Sequence, residues 1–460
     1  MSEAAVVPTG GQRLSSLTRR QVSGVIAAMA APVVLGQMSQ TLMGLIDTLM
    51  IGRLGDVELA SVAVATLLFS ALAMTIKSVD VAVQSYTARR VGEGRDAEVG
   101  PVLTTALSVC FSLGIVCMAI GLIWPEALMR IASRDETVRE LGSQYLFYRY
   151  AGILPLLFYF QAKGVFDGIG WTRIGMMVGI GMNVLNVFLN AVFIFGKLGA
   201  PAMGPAGAAL ASSLSGLMAA LVMGGILFYR PHRMRFQFVS AANFQRGLVG
   251  PFLRLAWPPA IQTFGVVIAL IIFNYLLGLV SVLAVAAGNV VLRIASLSFM
   301  PGFGVGAALQ TLVGQSLGRD DPLGAQRAIK GGVVLAVILM GLLGIVFVAR
   351  PEFLLKMFSS SSALINEAVP ILRLMGVVQV IDAVGLTLAG AMRGAGMTRA
   401  VMLADVGTGF VLLPPMTYLF AIVWQGGLMG AWLALLTWFS LFAVVMVIIY
   451  WKSDWQEVEI

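Results

Sequence analysis

Charge is what this sequence has least of. Asp, Glu, Lys and Arg make up 11% of the 460 residues, against roughly a quarter in a soluble domain, so the chain could not cover its own surface in water. Histidine occurs once, at His232, with no second histidine or cysteine cluster to complete a zinc or haem centre. The two cysteines, Cys110 and Cys117, stand in one apolar run at a spacing that does not suit a disulfide, and read as small buried helix residues. No histidine falls within an apolar run, and the loop pair Asp320-Asp321 has no matching second acidic motif. A catalytic constellation is therefore missing, and the chain is not expected to be an enzyme. The net charge of +8 does not imply nucleic acid either, because the basic residues lie in short segments between apolar runs and form no stripe.

Apolar sequence is what the chain has in abundance. Hydrophobic residues make up 59%, the mean hydropathy is +0.92, and the 52 glycines suit closely packed membrane helices. Runs of about 20 or more apolar residues mark bilayer crossings. They fall near 22–51, 57–83, 101–124, 138–162, 174–196 and 205–229, then near 252–279, 282–312, 325–350, 363–390, 399–424 and 427–451. The expected fold is an all-α polytopic membrane protein with twelve transmembrane helices. Its segments are a tail at 1–21, an N-lobe at 22–229, a linker at 230–251, a C-lobe at 252–451 and a tail at 452–460.

The two lobes read as copies of one unit. Gly168-Ile169-Gly170-Trp171-Thr172-Arg173 returns 226 residues later as Gly394-Ala395-Gly396-Met397-Thr398-Arg399. The same offset relates Val83-Gln84-Ser85 to Leu309-Gln310-Thr311, Gly92 to Gly318, and Pro32 to Pro258. Six spans per copy make the repeat a parallel one, with a pseudo-twofold axis along the membrane normal. Nineteen Lys and Arg residues fall in the termini and the segments on their side, and seven in the opposite loops. Both termini are therefore expected to be cytoplasmic.

Ionisable and amide side chains inside spans are costly and need a reason. Asp47 lies about five residues, or ~7.5 Å of helix, from the end of the first span, with Gln40 two turns back on the same face. The fifth span presents Asn183, Asn186 and Asn190 on one face, with Asn190 near the depth of Asp47. A carboxylate facing amides can hold a proton or a desolvated cation, and structural bridging between helices is the plainer alternative. The second half carries Asp382, with Gln379 one turn before it, and Asp405; Asn274 and Arg293 complete this second candidate cation or substrate site. An Arg293–carboxylate pair is an equally good reading of that arginine. Lys77 and Asp80 read as a local pair. Pro32 and Pro258 each remove a helix hydrogen bond within the first span of their half, which makes them candidate hinges.

Ala31-Pro32-Val33, Ser39-Gln40-Thr41-Leu42-Met43-Gly44-Leu45-Ile46-Asp47-Thr48, Leu292-Arg293-Ile294, Phe299-Met300-Pro301-Gly302-Phe303-Gly304, Val313-Gly314-Gln315 and Ala391-Met392-Arg393-Gly394 occur in this order. Together with Phe195-Gly196-Lys197-Leu198-Gly199-Ala200-Pro201, they resemble the multidrug and toxic compound extrusion (MATE) transporters, in particular their NorM-like bacterial branch. The resemblance implies cation-driven efflux of small amphipathic, mostly cationic compounds by rocking of two six-helix lobes. It makes Asp47 the N-lobe cation-site aspartate, with Asn186 and Asn190 as its partners, and matches Asp382 to the tenth-helix aspartate. The coupling ion is then H⁺ or Na⁺, with sodium at Asp47 or Asp382. The seventh helix lacks the glutamate of sodium-linked members, which favours a proton at Asp47. No other cofactor is implied, and a monomer is expected. A flippase for a lipid-linked precursor, built on a related two-lobe plan, is the alternative; it calls for several cationic residues around its cavity, and Arg293 stands almost alone.

Overall fold

In the computed structural model, residues 13–238 and 243–459 are described, and they are overwhelmingly helical. The parts of the two tails and of the linker that fall at 1–12, 239–242 and 460 lie outside the described residues. The first repeat comprises α1 (Arg19–Gly52), α2 (Asp56–Lys77), α3 (Asp80–Gly92), α4 (Val99–Ile123), α5 (Pro125–Ala132), α6 (Glu136–Ala151), α7 (Ile153–Ile169), α8 (Thr172–Phe195) and α9 (Pro205–Phe228). The short α10 (Arg230–Phe236) leads to α11 (Arg246–Val280), α12 (Val282–Gly318), α13 (Pro322–Ala349), α14 (Pro351–Lys356), α15 (Ser362–Gly394), α16 (Thr398–Asp405), α17 (Leu413–Thr417) and α18 (Gly427–Lys452).

Among the described residues, eleven helical stretches are long and apolar enough to cross a membrane. The remaining span expected from sequence, near 138–162, is α6 and α7, broken at Gly152. Pro155 explains the break: it has no N–H to offer the carbonyl of Ala151, where α6 stops. Pro414 and Pro415 act differently. They leave the carbonyls four residues earlier without donors, and the chain around them runs through π-helical turns at Val406–Leu412 and Tyr418–Val423.

The Gly-x-Gly echo now has a physical reading. A Cβ at Gly168 would lie 2.7 Å from the carbonyl oxygen of Gln84, and one at Gly164 2.9 Å from that of Asp80. Gly394 and Gly390 stand against the carbonyls of Gln310 and Gly306 in the same way, each 226 residues on. The first glycine of each motif thus lets a helix touch the backbone of its neighbour. The second closes the helix in the left-handed region, at φ +99° for Gly170 and +92° for Gly396. The N–H of Trp171 then reaches back to Phe166 O (2.8 Å), and that of Met397 to Met392 O (2.9 Å).

The chain divides into two compact units whose boundaries differ from the expected lobes. One contains residues 35–91 and 95–260; the other contains the described residues of 1–34, Gly92–Gly94 and those of 261–460. Helix α1 changes unit between Val34 and Leu35, and α11 between Ala260 and Ile261, both two residues beyond a repeat-related proline and again 226 apart. The opening turns of each repeat therefore pack in the unit that the other repeat builds.

Local contacts anchor these arms. Ahead of α1, the N–H of Ser15 donates to Asp321 Oδ2 (3.0 Å) at the start of α13, and Arg327 donates to the carbonyls of Ser15 and Leu17 (the latter at 3.2 Å). Leu14 is buried beside Gly324. Ahead of α11, Arg235 donates to Asp96 (2.8 Å) at the start of α4, Phe236 and Phe238 are buried, and Gly100 lies against Gln237 and Asn243.

Candidate functional site

Helix α8 turns an unusual face inward. Its buried positions are Thr172, Gly175, Gly179, Asn183, Asn186, Asn190 and Ile194, a stripe of small and amide residues at helical spacing in an otherwise apolar helix. Asp47, half-buried on the C-terminal half of α1, meets this stripe. Asn190 Nδ2 donates to Asp47 Oδ1 at 2.5 Å and to Asn186 Oδ1 at 3.1 Å. Asn186 is better placed with its amide turned over, which gives up the bond from Asn190: its nitrogen then donates to Asp47 Oδ1 (3.1 Å), and its oxygen accepts from the N–H (3.2 Å) and hydroxyl (3.1 Å) of Ser212 on α9. Two amide donors then converge on one carboxylate oxygen. Asn183 donates to Ser39 Oγ at 2.9 Å, which ties α8 to α1 a further turn along.

The site also carries acceptors. The amide oxygens of Asn183 and Asn190 are buried without a hydrogen-bond partner among the described residues. Carboxylate and amide oxygens are the donor set that suits a proton or a hard monovalent cation. Gln40 does not join it. That side chain is exposed and makes no hydrogen bond among the described residues. Two helical turns are ~10.5 Å of rise, too far for residues on one face to share a ligand.

Sequence reasoning missed a charged member of this neighbourhood. Arg149, in the last turn of α6, is half-buried with its guanidinium carbon 4.3 Å from the centre of the Phe69 ring of α2. The signal was available, since Arg149 is an ionisable residue in the middle of a predicted span, as Asp47 is near the end of one. Further along the same unit, Lys163, just past the end expected for the span near 138–162, is part of α7 and bound to buried Asp167 at 2.5 Å. Lys77 and Asp80 pair as their spacing predicts, at 3.6 Å.

The second-half carboxylates are held otherwise. Asp382 and Gln379, one turn apart on α15, are both buried, and neither side chain has a hydrogen-bond partner among the described residues. Asp405 on α16 lies within electrostatic reach of Asp382. It accepts a hydrogen bond from Gln262 Nε2 of α11 (2.7 Å), and Gln262 Oε1 in turn accepts one from Arg393 Nη2 (3.1 Å). The arginine wired to this carboxylate is therefore Arg393. Arg293 is exposed and has no ion-pair partner among the described residues, and Asn274 bonds the carbonyl of Leu270 (3.0 Å) and Asn289 (3.3 Å) instead of either aspartate. A residue's sequence depth does not fix which way it faces, and that accounts for both corrections.

With this geometry in view, likeness to known proteins can be stated. A MatE family model matches residues 32–192 and again 258–419, the second match beginning 226 residues after the first. The Probable multidrug resistance protein NorM of Thermotoga maritima is 24% identical over 436 residues, covering 93% of this chain and 92% of that protein. The Multidrug resistance protein NorM of Burkholderia vietnamiensis is 28% identical over 443 residues, 94% of each. Among solved structures, an outward-facing multidrug resistance MATE family transporter of the MOP superfamily matches with TM-score 0.87 at 22% identity, over 97% of this chain and 100% of that one. A MOP superfamily transporter from Pyrococcus furiosus, described by the reverse polarity of its binding pocket, matches at 0.85 and 21%, over 96% and 97%. Twelve membrane spans, two copies of one unit and a doubled family match lead to one conclusion: the chain belongs to the MatE family, the multidrug and toxic compound extrusion transporters.

Proposed function

We propose that this chain exports small amphipathic, mostly cationic compounds in exchange for a cation, H⁺ or Na⁺, that is taken up at Asp47. The observation that carries the reading is the convergence of Asn190 and Asn186 on the Asp47 carboxylate beside unpartnered amide oxygens. The amide nitrogens hold the carboxylate in place, and the amide oxygens offer ligands to whatever neutralises it. An ion bound more tightly in one conformation than in the other shifts the equilibrium between them, and that differential affinity is the coupling. Pro32 and Pro258 serve as the pivots, each just before the point where its helix changes unit. The protein works as a monomer in the bacterial inner membrane with both termini cytoplasmic.

The second half is less suited to external cations, because Asp405 already has an internal one in Arg393, relayed by Gln262. Lys77 and Lys163 are paired directly with aspartates, which removes two of the cations that a lipid pyrophosphate would need and weighs against the flippase alternative.

The test is drug efflux from vesicles under separate proton and sodium gradients. Asp47→Asn is expected to reduce gradient-driven efflux to the gradient-free background. Full-rate export by Asp47→Asn under either gradient would remove Asp47 from coupling, and undiminished activity in Asp382→Asn would assign that carboxylate to structure.

A further inference from the structure

The unit built from residues 35–91 and 95–260 carries a groove that shares no residue with the Asp47 site. It lies between α4, α7 and α9, is open along one side, has a volume of about 450 Å³, and is lined by apolar residues alone. The space exists because α9 places Ala220, Gly224 and Gly225 there. A Cβ at Gly224 would stand 3.9 Å from the Phe158 ring of α7, and one at Gly225 would meet nothing within 4 Å. Along α9 the groove runs from Leu217 to Phe228, ~16 Å of helix. That is about the hydrocarbon depth of a single leaflet, ~15 Å.

The groove ends beside a cluster of arginines. The chain turns out of α9 at Tyr229 and enters α10, where Arg235 is taken by Asp96 at 2.8 Å. Arg230 and Arg233 lie one turn apart on one face of α10, are exposed, and have no ion-pair partner among the described residues. His232 holds this short helix in place. Its Nδ1 is 3.1 Å from the carbonyl oxygen of Ile226 in the last turn of α9, and its ring packs on Trp171 and Tyr229 with centres 5.0 and 5.1 Å away.

We propose that the groove holds one acyl chain of an anionic phospholipid, with the lipid phosphate on Arg230 and Arg233. A chain one leaflet long fills the apolar length, and the headgroup arrives where the free guanidiniums are. Phosphate there gains charge-assisted hydrogen bonds, whereas a headgroup that adds an ammonium brings a like charge to the same arginines. A partner's spanning helix fits less well, because it needs about twice this length of apolar surface. The bound lipid adds its binding free energy to the stability of the unit and bridges α4, α7 and α9.

Native mass spectrometry of the full chain tests this, with phosphatidylglycerol or phosphatidylcholine of the same acyl chains titrated into the detergent and the first bound lipid followed. Wild type is expected to bind phosphatidylglycerol in preference to phosphatidylcholine. Arg230→Gln combined with Arg233→Gln should weaken phosphatidylglycerol binding roughly thirty-fold, the order set by two arginines at a membrane surface, and leave phosphatidylcholine unchanged. Gly225→Leu, whose side chain enters open groove space, should weaken both lipids. Gly225→Met provides the same comparison if the leucine variant fails to fold. Equal binding of the two lipids by wild type would overturn the proposal. So would undiminished phosphatidylglycerol binding in the double arginine variant, or unchanged lipid binding once the groove is filled at Gly225.

Discussion

Replacing Gly168 by alanine tests whether the repeated glycine motif is a packing device. The new methyl would lie 2.7 Å from the Gln84 carbonyl oxygen and 2.7 Å from Thr87 Cβ, both on α3. A helix carbonyl cannot rotate away as a flexible side chain can, so α7 and α3 must separate. Overpacking of this kind costs about 1–3 kcal/mol, which in a unit of this size corresponds to a fall in unfolding midpoint of roughly 2–12 °C. Gly394→Ala should behave alike, since its Cβ meets the backbone of Gln310 in the second repeat. Gly181→Ala is the control: it lies on the exposed side of α8 with nothing within 4 Å, and alanine there gains up to about 1 kcal/mol of helix propensity. Cys110 is a buried free thiol and Cys117 a half-buried one, so with Cys117 replaced by alanine throughout, a thiol-reactive dye reports unfolding as the protein is heated in detergent. If Gly168→Ala and Gly394→Ala melt where wild type and Gly181→Ala do, close helix approach is not what these glycines provide.

Two further predictions concern charges outside the proposed site. Lys163→Met leaves the buried Asp167 carboxylate without its ammonium and should destabilise by about 3–5 kcal/mol, whereas Lys163→Met with Asp167→Leu should recover most of the loss; equal midpoints for the single and double variants would refute this. Arg327→Ala should release the segment ahead of α1, seen as faster hydrogen–deuterium exchange at residues 14–17, and unchanged exchange there would show that Arg327 does not hold it.

The scaffold was legible in the sequence because its signals are local and repeat. Apolar runs gave all twelve spans to within a few residues at most ends, and one offset paired Pro32 with Pro258, although the lobes drawn at 22–229 and 252–451 did not foresee that α1 and α11 change unit beside those prolines. The first-half site was legible in part: three asparagines at helical spacing announce one face, and Asp47 meets it. The misassigned residues share a cause. Gln40, Asn274 and Arg293 were grouped by depth or helical face, yet a partner is decided by the rotation of each helix against its neighbours, which no single span encodes. The Arg393–Gln262–Asp405 relay joins three helices, and the 131 and 143 residues separating its bonded pairs leave no periodic trace.

The exchanged arms bear on how such a protein arises. A single copy of the repeat would have nowhere within itself to bury Leu14 or Phe238, because each is covered in the unit that the other copy builds. Two free copies would complete one another only by trading their first helical turns, as a domain-swapped homodimer does. Fusion through the connection after α10 makes that trade intramolecular, raising the effective concentration of each arm for its acceptor to the millimolar range. The present chain has the topology of a swapped dimer joined into one polypeptide. Its two halves were then free to diverge, one keeping Asp47 among amides while the other enclosed Asp405 with its own arginine.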